Sequence, residues 1–340
     1  ALIYQDLGDY EKALIAQLKA LKIREQVLEP NHPHVAQSYN NLASIYKDLE
    51  DYEKALTAQL KALKIREQVL EPNHPSIATS YNNLALIYQD LGDYEKALTA
   101  QLKDIAIIKQ VLEPNHPSIA TSYHNLSSIY YQLKEYNIAI IYERKAETIL
   151  RKKLPSNHPY LNSLKQHFAL YYESRGDQYR QKGNYQQALS DYDSVLIYTP
   201  NNATLQNSIA LCYYYMADYK KAITHYKKSF QGQGISEAVY LNNTGMAYAK
   251  SGDLNKAKAH FEQLEKLLPN HGLVQRGWAL YYVLKGEANI ALDHLAKAIE
   301  LGYEDLNWIT TDEALQGLRK EQAYLDIVQQ LKAKLQNANQ

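Results

Sequence analysis

Between Pro75 and Leu91 the apolar positions Ile77, Tyr81, Leu84, Ala85, Tyr88 and Leu91 fall three and four residues apart. That spacing lays them along one stripe of an α-helix. Gly92 supplies a stop and Asp93 a cap for a second helix, predicted from about 93 to 112 and roughly 30 Å long at the rise of an α-helix. In the preceding unit the second-helix stripe reads Tyr52, Leu56, Leu60, Leu63 and Leu70. Glu71-Pro72 ends that helix, because proline cannot continue it and restricts the residue before it. Each unit therefore reads as a helical hairpin with one apolar seam, too small to be stable alone.

The hairpins recur. Asn-His-Pro stands at 31–33, 73–75, 115–117 and 157–159, a spacing of 42 residues each time. Residues 16–33 and 58–75 are identical, as are 71–81 and 113–123. A fixed period of this size marks a solenoid whose units stack on their neighbours. Pro75 suits the first helical position, and Asn73 or His74 can satisfy the free amides before it.

These residues resemble the tetratricopeptide repeat (TPR). Tyr81, Leu84-Ala85, Tyr88, Gly92-Asp93-Tyr94 and Ala97 match its pattern. The 42-residue length and the ALKIREQVLEPNHP segment are similar to the long repeats of kinesin light chains, a type also abundant in bacterial multi-repeat proteins. The resemblance implies an all-α fold, a right-handed TPR superhelix built as an α-solenoid of hairpins. It covers residues 1–158 most strongly, with the first repeat truncated. Residues 159–182 then read as one long transition helix, and the period falls towards that of ordinary TPRs over 159–304. Gln231-Gly232-Gln233-Gly234 replaces a proline and reads as a bent or mobile joint. Residues 305–335 read as two short amphipathic helices, so 305–340 is assigned as a C-terminal cap and tail.

Composition narrows function. The 37 basic and 37 acidic residues balance and are interspersed, so no basic face for nucleic acid is expected. No apolar run is long enough to span a membrane. The single cysteine, Cys212, sits in an apolar helix, reads as a core residue, and fits a reducing, cytoplasmic setting. The chain opens within a helical pattern, which suggests a natural N-terminus farther upstream. The four loop histidines invite a metal reading, but stacked helices lie 8–10 Å apart and zinc ligands about 2 Å from one ion. His32, His74, His116 and His158 are therefore read as caps, and no metal or cofactor is expected. There is no phosphate loop, HExxH or nucleophile elbow, so no enzyme is predicted.

The candidate site is an asparagine series, Asn41, Asn83, Asn125 and Asn243, at one first-helix position in successive units. The resemblance implies that first helices line a concave groove and that this position contacts peptide ligands. Amides can both donate to and accept from an extended backbone. Neighbouring groove positions by the same carry-over include Asn40, Asn82, His124, Gln89 and Tyr131, with Tyr214 and Tyr215 facing the groove farther along. Tying hairpin to hairpin is the alternative role for the asparagines. The lysines of a chaperone-tail carboxylate clamp are missing, since Gln37, Thr79 and Thr121 stand at matching sites. The last repeats offer apolar Val239, Met246, Leu273, Leu280 and Val283. The predicted function is a scaffold binding a protein or peptide. The alternatives are the sensor part of a larger signalling or defence enzyme, and a solenoid self-associating through its exposed N-terminal repeat.

Overall fold

In the computed structural model, which describes residues 1–337, each 42-residue unit starts its first helix on proline and its second on an aromatic. Within the first of two units of the chain, Ala1–Arg175, the helices are α1 (Leu2–Asp6), α2 (Tyr10–Val27), α3 (Pro33–Asp48), α4 (Tyr52–Val69), α5 (Pro75–Asp90), α6 (Tyr94–Val111), α7 (Pro117–Gln132) and α8 (Tyr136–Arg151). The next helix is α9 (Pro159–Gln181). Among the described residues there is no strand, and no helix is long and apolar enough to cross a membrane.

The caps explain the boundaries. His32, His74, His116 and His158 each accept, through Nδ1, the backbone N–H two residues on, at 3.0–3.2 Å. Asp9, Asp51 and Asp93 accept from the backbone of Lys12, Lys54 and Lys96 and pair with the same lysine ammonium. Gly8 and Gly92 close the first helices with φ of 73° and 74°. Glu50 and Lys134 occupy the same left-handed turn at 59° and 62°, a conformation that is free only to glycine.

The seam follows from small side chains. Ala13, Ala55, Ala97 and Ala139, one per repeat, are fully buried, so the two helices of a hairpin can approach closely. Leu63, Ile77, Leu84 and Ala85 pack with Ala97 and Ala100, and Ile129 of the next repeat joins them. Leu60, assigned to this seam from its spacing, is 44% exposed. It lies one position round the helix from the buried Gln59, and so points off the stripe.

The second unit, Gly176–Gln340, holds α10 (Tyr185–Tyr198), α11 (Ala203–Tyr215), α12 (Tyr219–Gln231), α13 (Glu237–Lys250), α14 (Leu254–Leu267), α15 (Gly272–Lys285) and α16 (Ala288–Glu300). The Gly232–Gly234 segment is no loose joint. A Cβ at Gly232 would lie 2.6 Å from that of Ala203, and one at Gly234 would run into the backbone of Ala203. Ser229 Oγ also donates to the Ala203 carbonyl at 2.7 Å. The glycines are there because two backbones meet.

The end of the chain also departs from the expected two short helices. It forms α17 (Leu306–Thr311), a 3-10 turn (Glu313–Leu318) and the sixteen-residue α18 (Gln322–Asn337). Tyr324, Ile327 and Leu331 continue a single stripe against Leu295, Ile299, Ile309 and Leu315. Covering the last hairpin takes one long amphipathic helix, because a solenoid must hide its terminal apolar face.

Candidate functional site

Two members of the asparagine series, Asn83 and Asn125, form bonds from one repeat to the next. Asn83 Nδ2 donates to Asn40 Oδ1 at 3.1 Å, and Asn125 Nδ2 donates to Asn82 Oδ1 at 2.8 Å. Asn41 Oδ1 accepts from Gln37 within its own helix, and Asn243 Oδ1 accepts from Asn242. The same 43-residue step joins Lys47 to Asp90 and Tyr131 to Ser174. Tyr131 also stacks on Tyr171 at 4.9 Å between ring centres. Gln89 is half-buried on the same helix as Asn83. Asn40 and Asn83 line a small cleft of about 230 Å³ with Ser44, Lys47 and Gln59. An amide has two donor hydrogens and two lone pairs, so the tie leaves each asparagine capacity for a further partner.

A second set of ties escaped the sequence reading. Gln17, Gln59 and Gln101 are buried at one second-helix position, and Gln17 and Gln59 donate to the backbone carbonyls of Ser38 and Ser80 in the next hairpin. Arg66 is 7% exposed and donates to Ser80 Oγ at 2.7 Å, to the Ser76 carbonyl and to Asn40 and Gln37. Arg24 holds Ser38 in the same manner. One repeat later Ile108 stands in the arginine's place, and the buried Asp104 accepts from Ser122 and Gln101 instead. Burial pushes the Asp104 carboxyl up to about 6, against those two hydrogen bonds, which lower it. The signal was present as a lone departure from near-verbatim repeats: Asp104 stands where Ala62 and Ala146 do.

His124 is not an open groove residue. Its Nδ1 lies 2.9 and 3.2 Å from the two carboxylate oxygens of Glu143, and His167 Nδ1 lies 3.2 Å from Glu143 Oε1. Glu143 is fully buried, and its two histidine partners are partly exposed. Burial raises the Glu143 carboxyl, but the hydrogen bonds and charges of His124 and His167 outweigh it and leave the group below its ordinary value.

The largest convergence of unsatisfied polar groups is in the second unit. A cleft of about 350 Å³ is lined by Tyr214, Asn243, Met246, Arg276, Trp308 and Asp312, among others. Tyr214 Oη, Arg276 Nε and Trp308 Nε1 are buried there without a hydrogen-bond partner among the described residues. Arg276 Nη2 donates to Asn242 Oδ1, and its guanidinium lies 5.2 Å over the Trp308 ring and 5.6 Å over Tyr303. Lys250 is neutralised by Asp312 at 2.7 Å. Desolvation pushes the Tyr214 phenol far up, so it stays a neutral donor. Of the predicted tyrosines, Tyr214 lies in this cleft and Tyr215 at its rim, 60% exposed and stacked on Tyr185.

The apolar groove positions divide. Met246 and Leu280 are core residues, buried in the cluster around Phe261 and Trp278. Val239 alone of the five is counted as exposed, at 40%. The sequence offers all five as apolar residues of the last repeats, and apolar character alone cannot tell a seam from a groove. Cys212 is buried, and desolvation pushes its thiol up to about 11, which suits packing and not nucleophilic attack.

A family model described as tetratricopeptide repeat matches residues 1–68, 35–103, 76–152 and 201–270, together more than half of the chain. No curated protein sequence matches. Among solved structures, the nearly identical TPR-like repeats of a candidate kinesin light chain from Podosopora anserina are similar, at 24% identity and a TM-score of 0.48. That match covers 58% of this chain and 90% of the other. The C-terminal part of a TPR repeat-containing protein from Cytophaga hutchinsonii is 16% identical with a TM-score of 0.49, covering 82% and 98%. YrrB, described as a TPR protein with an unusual peptide-binding site, is 18% identical with a TM-score of 0.41, covering 64% and 92%.

Proposed function

Because the chain belongs to the tetratricopeptide repeat family, whose repeats serve in general as protein-interaction scaffolds, we propose that it is a non-catalytic scaffold that grips a partner's peptide segment along its first-helix face. The anchor of that grip is the cleft between Tyr214 and Trp308. One observation carries the reading: three buried polar atoms, Tyr214 Oη, Arg276 Nε and Trp308 Nε1, have no hydrogen-bond partner among the described residues and belong to side chains that line one cleft. Leaving a buried donor unmade costs about 1–3 kcal/mol each, and such groups call for a bound partner or water. All three can donate, so the occupant they suit presents acceptor oxygens, backbone carbonyls or a carboxylate.

In this reading the asparagine rows hold the register of the repeats and give secondary contacts to a bound backbone. Affinity gathers at the aromatic and arginine anchors, as in other protein interfaces. Asp312 neutralises Lys250, and Asp305 and Glu313 line the same cleft, which favours a neutral backbone carbonyl over a carboxylate as the acceptor met by Arg276.

Selection of a random-peptide display library on the immobilised 340-residue chain tests it. The expected result is an enriched motif whose affinity falls at least tenfold on Arg276→Met, with helicity unchanged. Comparing amidated with free C-termini assigns the acceptor to a backbone carbonyl or a terminal carboxylate. Selection that returns nothing above background, or affinity indifferent to Arg276→Met, overturns the reading.

A further inference from the structure

Three hairpins of the long repeats, α3–α4, α5–α6 and α7–α8, carry a pair of polar side chains 19 residues apart, one on each helix. In the second and third long units the pair is neutral amide with neutral amide, Asn40 with Gln59 and Asn82 with Gln101. Gln59 Nε2 lies 3.5 Å from Asn40 Oδ1. Two hairpins of the second unit keep the same spacing with amide and imidazole, Gln206 with His225 and Gln275 with His294, each at 2.7 Å. In the hairpin of α7 and α8 both members change together, to His124 and Glu143. There α9 adds His167, giving three metal-ligating side chains from three consecutive helices.

We propose that His124, Glu143 and His167 form a binding site for a divalent transition metal ion, zinc being the ion that suits the set best. Two imidazole nitrogens and one carboxylate oxygen are a borderline donor set, which selects zinc and its neighbours over calcium or magnesium. The three ligand atoms lie within 4.8 Å of one another. The carboxylate-to-Nδ1 separations are 2.9 Å for His124 and 3.2 Å for His167. Two ligands about 2.0–2.1 Å from one tetrahedral ion stand roughly 3.3 Å apart, so the two carboxylate–imidazole separations need shifts of only a few tenths of an ångström. The two imidazole nitrogens, within 4.8 Å of each other, close further by rotation of the partly exposed rings.

Burial argues in the same direction. The Glu143 side chain is 0% exposed, and its ion-pair partners among the described residues are the two imidazoles. A buried carboxylate is costly unless paired or coordinated to a metal. The rings are held in place from behind. Tyr160 meets His124 edge-on at 6.0 Å, and Tyr171, itself stacked on Tyr131, lies along His167 at 6.1 Å. The imidazoles, with 20% and 32% of their side chains exposed, are the solvent side of the cluster. Solvent water takes the fourth position, or a carboxylate or imidazole of a bound partner does.

Calorimetric titration of zinc into the chelator-treated 340-residue chain tests the proposal, with Co2+ absorbance as a second readout. One equivalent binds, melting temperature rises with zinc, and the Co2+ spectrum is that of a four-coordinate site. His124→Asn/Glu143→Gln rebuilds the pair found at Asn82 and Gln101, so it keeps the fold and loses affinity at least a hundredfold. His167→Ala does the same, whereas His116→Ala in the loop, which removes only a helix cap, leaves the zinc affinity unchanged. A chain that binds no stoichiometric zinc holds a hydrogen-bonded triad only, and the proposal fails. It fails equally if the equivalent survives in His124→Asn/Glu143→Gln and His167→Ala.

Discussion

Asn83 Nδ2 donates to Asn40 Oδ1 across 3.1 Å, joining two residues 43 positions apart on consecutive first helices. Asn125 repeats the bond to Asn82 at 2.8 Å. The asparagines that face the proposed peptide path are thus also the rungs that fix one hairpin against the next. Stability and any contact with a ligand are coupled at these positions.

Removing both rungs therefore weakens the stack itself. Asn83→Ala with Asn125→Ala is expected to lower unfolding free energy by about 1–3 kcal/mol, two hydrogen bonds at their usual net worth. Urea titration followed by helical circular dichroism reads this, and faster amide exchange localises it to α5 and α7. An unmoved midpoint would show that the rungs carry no stability.

Asp104 gives the first unit a pH dependence of definite sign. Burial holds its carboxyl at about 6, above the ordinary aspartate range. The folded state then binds the proton more tightly than the unfolded chain. The stabilisation is complete at pH below the unfolded value of 3.8 and is lost as pH rises through about 6. Asp104→Asn removes the titration and keeps an acceptor for Ser122. The variant should gain on the order of 2–3 kcal/mol over the parent at pH 7.5, and the gap should close below pH 4. Melting curves at the two pH values decide it, and a gap that does not change with pH would contradict the assignment.

Glu50 and Lys134 sit in left-handed turns at φ 59° and 62°, where Gly8 and Gly92 stand in the other repeats. Either residue changed to glycine should stabilise the chain by about 1 kcal/mol, the relief of a side chain in that conformation set against glycine's greater unfolded freedom. Chemical denaturation of Glu50→Gly measures it. A loss of stability there would mean that the entropy term dominates.

Gly234→Ala tests the packed joint. The added methyl runs into the Ala203 backbone, and overpacking of this kind costs about 1–3 kcal/mol. If that variant melts with the parent, the segment between α12 and α13 is looser than its packing indicates.

Periodicity carried the architecture, because a near-verbatim repeat writes the same helix start, stop and seam each time. The spacing of Ile77, Tyr81, Leu84 and Tyr88 gave helix α5 to within a residue, and the loop histidines were legible as caps. What the repeat hides is whatever depends on a single departure from it. Asp104 in place of alanine and Glu143 in place of glutamine each look like one substitution, yet their partners, Ser122, His124 and His167, come from other helices. Met246 and Leu280 show the opposite limit: their apolar character is plain, but whether such a residue faces a groove or a neighbouring helix is decided by contacts far along the chain. The cleft around Arg276 and Trp308 needed the cap to fold back, and nothing local in residues 305–313 announced it.

The central claim is that the cleft around Tyr214, Arg276 and Trp308 is where a partner's segment is held. The chain has two tryptophans, and Trp308 lines that cleft whereas Trp278 is buried in the core. Trp278→Phe therefore leaves one reporter at the site. Titrating this variant with a peptide selected by the unmodified chain should shift Trp308 emission saturably, with an affinity matching that of the parent and at least tenfold weaker once Arg276→Met is added. A peptide that binds the chain with the parent's affinity while Trp308 emission stays constant would contradict the account.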